Sequence, residues 1–193
     1  MGEPARVLLI SGSARGGSVN AAALATVAAL APGDATAVTY NGLAALPAFN
    51  PDHDGDDLPP EPARLRQEIA AADAVFLSTP EYAGTLPGSF KNLLDWTVGG
   101  GQLYGKPVAW LNVAAQGRGQ GAHETLLTVL GYVGADIIEA ACRRAPVDRA
   151  SVAADGTVTD PAFRAEVAAA WTALLAYLER ARREQASGGE TQS

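Results

Sequence analysis

The stretch GSARGGSVN, residues 12–20, sets one arginine, two serines, an asparagine and three glycines directly after an apolar run. Ser13 and Ser18 can each donate a hydroxyl proton to a phosphate oxygen, and Asn20 can donate from its amide. Arg15 adds a full charge and a planar fork that matches phosphate geometry. Gly12, Gly16 and Gly17 let the backbone turn tightly around such a group. A helix starting after the loop would add free backbone N–H groups and the positive end of its dipole. These residues suit one monophosphate. A Walker loop does not fit, because no lysine follows the glycines. A dinucleotide fingerprint does not fit either: its middle glycine is missing, and Tyr40 and Asn41 stand where its acidic partner belongs. A plain Gly/Ser turn is the rival explanation. Two further loops weigh against it.

The second loop lies in TPEYAGTLPGSFKNLLDW, residues 79–96. Tyr82, with the small Ala83 and Gly84 beside it, suits a planar ring lying against backbone and tyrosine, although an ordinary surface aromatic is equally consistent with Tyr82 alone. The third is AAQGRGQG, residues 114–121. There the Gln116 amide and the backbone could read the polar edge of a heterocycle, and Arg118 could meet an anionic substrate or simply stay solvated. Other candidates carry less. His53 and His123 have no partner at metal-ligand spacing. DHDGDD, residues 52–57, resembles part of a calcium loop without its closing glutamate. No metal is expected. Cys142 reads as a small buried residue, and Trp96 and Trp110 as core or interface.

The elements that must position these loops follow from apolar patterning. Strands are expected over residues 6–10, 36–40, 74–79, 107–115 and, more weakly, 136–141. Helices are expected over residues 19–31, 61–72, 89–96, 122–133 and 161–183, with a long Pro- and Asp-rich connection over 41–60. The strands lack polar alternation, as in an α/β protein whose parallel sheet is covered by helices on both faces. In such a sheet ligands sit beyond the carboxyl ends of the strands. The three loops follow strands one, three and four, so they should meet at one rim. One domain over residues 1–183 and a disordered, solvated tail over 184–193 are expected.

The 193-residue chain is 48% hydrophobic and 18% charged, within the range of ordinary globular domains. A net charge of −7 argues against a nucleic-acid partner. The single cysteine allows no intrachain disulfide and suits a reducing compartment. No apolar run approaches the ~18 residues that span a bilayer. The expectation is a cytoplasmic protein without a membrane partner.

The first motif matches the GSxRxxSxN pattern of the NADPH-dependent FMN reductases, and PEYAGTLPGSFKNLLDW resembles that family's PEYN-x-x-xPGxxKNxxDW segment. At average residue frequencies the first motif alone would arise by chance in about one chain in ten thousand. The resemblance runs from the first strand through the loop after the fourth and fades beyond about Gly134. It implies a flavodoxin-like three-layer sandwich with five parallel strands in the order 2-1-3-4-5. It also implies that Ser13, Arg15, Ser18 and Asn20 hold the FMN phosphate, with Val19 in the same cofactor-binding segment. Pro80, Glu81, Tyr82, Ala83 and Gly84 would line the isoalloxazine, with Gln116 and Gly117 near its polar edge. A homodimer or homotetramer is implied as well. One residue departs from the pattern: Ala83 stands where the family commonly has asparagine.

The activity implied is hydride transfer from NADPH to bound FMN and on to a small acceptor such as a flavin, quinone, azo compound or metal oxyanion. The cofactor carries the redox chemistry, so no catalytic side chain is expected. Arg118 is the remaining candidate for the donor's 2′-phosphate. Two rivals are a flavodoxin-like single-electron carrier and a reductase that releases reduced FMN to a monooxygenase.

Overall fold

Alternate residues of each central strand enter different cores, which explains why these runs lack an apolar–polar alternation. The computed structural model describes residues 3–55 and 57–189. In β1 (Ala5–Ser11), Val7 and Leu9 join one core while Leu8 and Ile10 join the other. In β3 (Ala74–Ser78), Ala74 and Phe76 divide from Val75 and Leu77 in the same way. The first core lies under α1 (Val19–Ala29) and α5 (Pro161–Gly189), and Trp171 seals it by donating from Nε1 to the Val27 carbonyl at 2.9 Å. The second lies under α2 (Pro60–Ala70), α3 (Gly88–Asp95) and α4 (Gln120–Tyr132).

With β2 (Ala35–Tyr40), β4 (Pro107–Asn112) and β5 (Asp136–Ile137), the sheet runs in the order β2-β1-β3-β4-β5. Every pairing is parallel. This is the flavodoxin-like order, with helices on both faces.

Three local differences from the sequence expectation have physical causes. The fifth position is not one strand over 136–141. β5 is two residues long, a 3₁₀ turn Glu139–Ala141 interrupts it, and β6 (Arg143–Arg144) resumes pairing with the far end of β4. Burial of Ile138 and Ala141 in the first core draws the chain off the sheet edge between the two pieces. β4 ends at Asn112 rather than 115, because Asn112 Oδ1 accepts the Ala114 N–H at 3.0 Å and turns the chain. The expected disordered tail is corrected as well: α5 continues to Gly189, past Arg183. Glu184, Gln185 and Ala186 are strong helix formers, and Glu179–Arg183 and Arg180–Glu184 pair one turn apart at 3.1 and 3.9 Å. Residues 190–193 of that expected tail lie outside the described residues.

The connection before α2 holds two 3₁₀ turns, Leu43–Ala45 and Pro51–His53. Asp54 in it is ion-paired with Arg66 of α2. Asp56, also in the DHDGDD stretch, lies outside the described residues. No helix among the described residues is long and apolar enough to cross a membrane.

A candidate cofactor cleft at the carboxyl rim

The loop between β1 and α1 is built for a helix entrance. Ser18 is the N-cap: its Oγ accepts the Ala21 N–H at 3.1 Å, leaving the hydroxyl proton free to donate. The N–H groups of Val19 and Asn20, in the first turn, have no intrahelical acceptor. Asn20 is buried at 4% exposure. Its Oδ1 accepts from Ser78 Oγ at 2.9 Å, so the amide NH₂ is the end left for a ligand. Gly12 is required by packing, since a Cβ there would strike the Thr79 side chain.

The loop after β3 is a two-residue hairpin. Tyr82 and Thr85 exchange backbone hydrogen bonds at 3.0 and 3.1 Å, and Ala83 and Gly84 both have positive φ, +51° and +77°. Two successive positive φ values define a type I′ turn, which favours Asn-Gly. The asparagine that the resemblance leads one to expect at 83 is therefore explained by backbone conformation. Alanine adopts that conformation at a cost.

This hairpin leans on α4. Glu81 Oε2 accepts the N–H groups of Gly121 and Ala122 at 2.8 and 3.2 Å, neutralising the positive end of that helix. A Cβ on Gly121 would collide with the Gly84 carbonyl, and Thr85 and Thr125 join their hydroxyls at 2.9 Å.

The loop after β4 turns at Gly117, φ +78°, where Arg118 N–H bonds to the Ala115 carbonyl at 3.0 Å. Gly119, φ +81°, has no room for a side chain: a Cβ would lie 2.7 Å from that of Ala114 and 2.8 Å from Asn112 Oδ1. Arg144 braces the turn from outside. One guanidinium nitrogen donates to the carbonyls of Arg118 and Ala115, at 2.9 and 3.3 Å.

The three loops meet. A cleft of about 400 Å³ is lined by Val19 and Asn20 from the first, Pro80 and Glu81 from the second, and Ala115 and Arg118 from the third. Ser13 and Arg15 line a neighbouring cleft of about 350 Å³, between the first loop and the end of β2, with Thr39 and Asn41. The Arg15 guanidinium is exposed, and no carboxylate of the described residues lies within 4.0 Å of it. Tyr82, 54% exposed, stands outside the main cleft with Ala83 and Gly84, and Gln116 and Gly117 are exposed at its edge. The cleft wall thus combines the polar Asn20 and Arg118 with the small residues Ala114 and Ala115 and with Pro80. That donor set fits a monoester phosphate joined to a flat, weakly polar ring.

Behind the third loop, His123 meets Trp110 edge-on, with ring centroids 3.6 Å apart and planes inclined at 60°. Burial, and then the positive charge of Arg144, push its pKa down to about 4. Burial pushes the Cys142 thiol up to about 11, so it carries no thiolate at neutral pH. Sequence reasoning singled out neither Arg144 nor Arg149, whose guanidinium donates to the Gly17 carbonyl at 3.4 Å. The only signal was an arginine-rich run, CRRAPVDR, after a weak strand.

The fold and the three-loop cleft define a flavodoxin-like α/β protein whose first loop opens a helix with Ser, Arg and Asn donors. Residues 5–143 match the NADPH-dependent FMN reductase family, and the chain belongs to that family. It is 37% identical over 117 residues to an NAD(P)H-dependent FMN reductase of Pseudomonas aeruginosa, covering 60% of this chain and 63% of that one. It is 38% identical over 92 residues to a 2-hydroxy-1,4-benzoquinone reductase of a Burkholderia species, covering 47% of this chain and 49% of that one. The chain thus spans about half to 63% of the length of the curated relatives it matches. Among solved structures it resembles a flavoenzyme NAD(P)H:(acceptor) oxidoreductase of Paracoccus denitrificans. The TM-score is 0.74 and the identity 28%, over 91% of this chain and 98% of that one.

Proposed function

We propose that this chain is an FMN-dependent NAD(P)H oxidoreductase that passes reducing equivalents to a small acceptor of the quinone type. The observation that carries the reading is the convergence of the three strand-end loops on one cleft, with Asn20 of the first loop in its wall and Ser13 and Arg15 of the same loop in the neighbouring cleft. Bound FMN would accept hydride from the nicotinamide donor and supply the redox chemistry. The chain's own residues bind and orient it. Ser13, Ser18, Asn20 and the first amides of α1 would offer donors to the phosphate, and Arg15 would offer charge. Pro80 and the Tyr82–Thr85 hairpin would flank the ring, and Glu81 holds that hairpin against α4. Arg118, exposed and lining the cleft, would meet the donor's 2′-phosphate.

The single-electron carrier is disfavoured by an arginine-bearing phosphate loop. A homodimer or homotetramer is supported by exposed Val98, Tyr104, Leu127 and Tyr132, all on α4 or in the segment just after α3. A cytoplasmic location fits the single cysteine and a pyridine-nucleotide donor.

The test is an absorbance spectrum after FMN addition and desalting, followed by anaerobic NADPH and then a quinone. Retained flavin that bleaches without a long-lived one-electron form and regains colour with the quinone is expected. Flavin left oxidised by both NADPH and NADH would sink the proposal. Free FMN reduced without retention would shift it to the flavin-releasing version.

A further inference from the structure

The chain beyond residue 143, outside the family match, runs along the rim of the cleft. Ala145 N–H bonds to the Asn112 carbonyl at 2.9 Å and Val147 N–H to the Val113 carbonyl at 3.1 Å, so the segment continues beside β4 past its last strand residue. It then crosses to the first loop. There a 3₁₀ turn, Arg149–Ser151, is fixed by Asp148, whose Oδ1 accepts the Ala150 N–H at 3.0 Å. Ser151 Oγ donates to the Asp148 carbonyl at 2.6 Å. The returning chain is anchored on α1 by a buried bond, Val158 N–H to Thr26 Oγ1 at 2.8 Å. Arg149 is therefore presented by a docked turn rather than by a free loop.

Its guanidinium donates to the Gly17 carbonyl, one residue before the N-cap of α1. No carboxylate of the described residues pairs with it, in a chain of net charge −7. A phosphate monoester carries about −1.5 to −2 at neutral pH, more than one arginine balances. Arg15 belongs to the loop itself and lines the cleft toward β2, whereas Arg149 comes to the loop from the distant segment anchored on α1.

We propose that Arg149 is a second cationic ligand of the flavin's phosphate, exchanging its bond to the Gly17 carbonyl for one to a phosphate oxygen. This rests on the reading of residues 12–20 as the FMN phosphate site. Arg144, from the same segment, acts as a positioning residue for the third loop.

The discriminating experiment measures FMN and riboflavin affinities by flavin fluorescence on the flavin-stripped full chain. Wild type, Arg149→Ala, Arg149→Lys and Arg15→Ala would be compared. Arg149→Ala should weaken FMN about tenfold, a loss of about 1.4 kcal/mol, and leave riboflavin unchanged. The salt dependence of FMN binding should become shallower in Arg149→Ala, and Arg149→Lys should restore part of the affinity and of that salt dependence. Wild-type FMN affinity in Arg149→Ala, with Arg15→Ala impaired, would overturn the role of Arg149 alone. Equal losses for FMN and riboflavin would mean a structural role and overturn it too. If wild type did not prefer FMN to riboflavin, the phosphate reading of the first loop would fall, and this inference with it.

Discussion

At the carboxyl rim of the sheet, Arg15, Arg118, Arg144 and Arg149 have no carboxylate of the described residues within 4.0 Å. On the helical faces below, Arg64 meets Glu61 and Glu68 at 2.5 and 2.6 Å, Arg182 meets Asp73 at 3.2 Å, and Arg66 pairs with Asp54. Arg6, Lys106 and Arg164 also lack a carboxylate, but each is part-buried or intermediate in exposure, and the last two donate to carbonyls. In an acidic chain, a cluster of unpaired cations at one place repels itself unless a ligand brings the anion. The paired arginines fasten elements together; at the rim the proposed flavin phosphate would supply the missing anion.

The strongest way to break this contrast is at its two ends. Arg15→Ala should lower FMN affinity by roughly 1.5–3 kcal/mol, about tenfold to a hundredfold, with an unchanged melting temperature. A fluorescence titration beside a thermal melt checks both halves. Arg66→Ala should do the opposite. Its Nε donates to the Trp96 carbonyl at 2.7 Å and its guanidinium meets Asp54, so removal leaves two part-buried acceptors unsatisfied. Stability should fall by about 1–3 kcal/mol in a urea titration, with FMN affinity unchanged. A variant that lost both would erase the division.

The unpaired charge of the rim is also felt by His123. Its folded pKa of about 4 lies below the ordinary value of 6.5, first through burial and then through Arg144. The unfolded chain therefore binds more protons between those values, so this contribution is complete above about pH 6.5 and is lost as pH falls toward 4. His123→Gln should flatten the difference in urea midpoint between about pH 7 and 5. Arg144→Gln should raise the His123 pKa in an NMR titration. The smallest effect is expected at the hairpin. Ala83→Asn should stabilise by about 1 kcal/mol, because asparagine tolerates the left-handed conformation that alanine adopts at φ +51°. A melting temperature that did not rise would show that residue 83 is not strained.

The first loop was legible because its chemistry is local. Ser18 is both a motif residue and an N-cap, so helix start and donor group coincide in one position. The central strands were legible because burial on both faces demands unbroken apolar runs. The fifth strand was not, since its break at Ile138 depends on α5 packing from far along the chain. Glu81 was placed by resemblance beside the flavin ring, and it does line the cleft. Its carboxylate, however, caps a helix forty residues away, a partner no local pattern reveals. Tyr82 illustrates the same limit, for a strand-end aromatic gives no hint that a type I′ turn carries it out to 54% exposure.

The sequence by itself determined the alternation of strands and helices, the parallel sheet, the family, and the residue types able to hold a phosphate. Each of these rests on neighbours within a few positions, where periodicity and backbone preference act. Only the tertiary structure decided that Arg144 and Arg149, more than twenty residues beyond the last recognisable loop, return to brace that loop and to meet the first. Contacts of that separation depend on how the whole chain closes over α1, and no local preference encodes them.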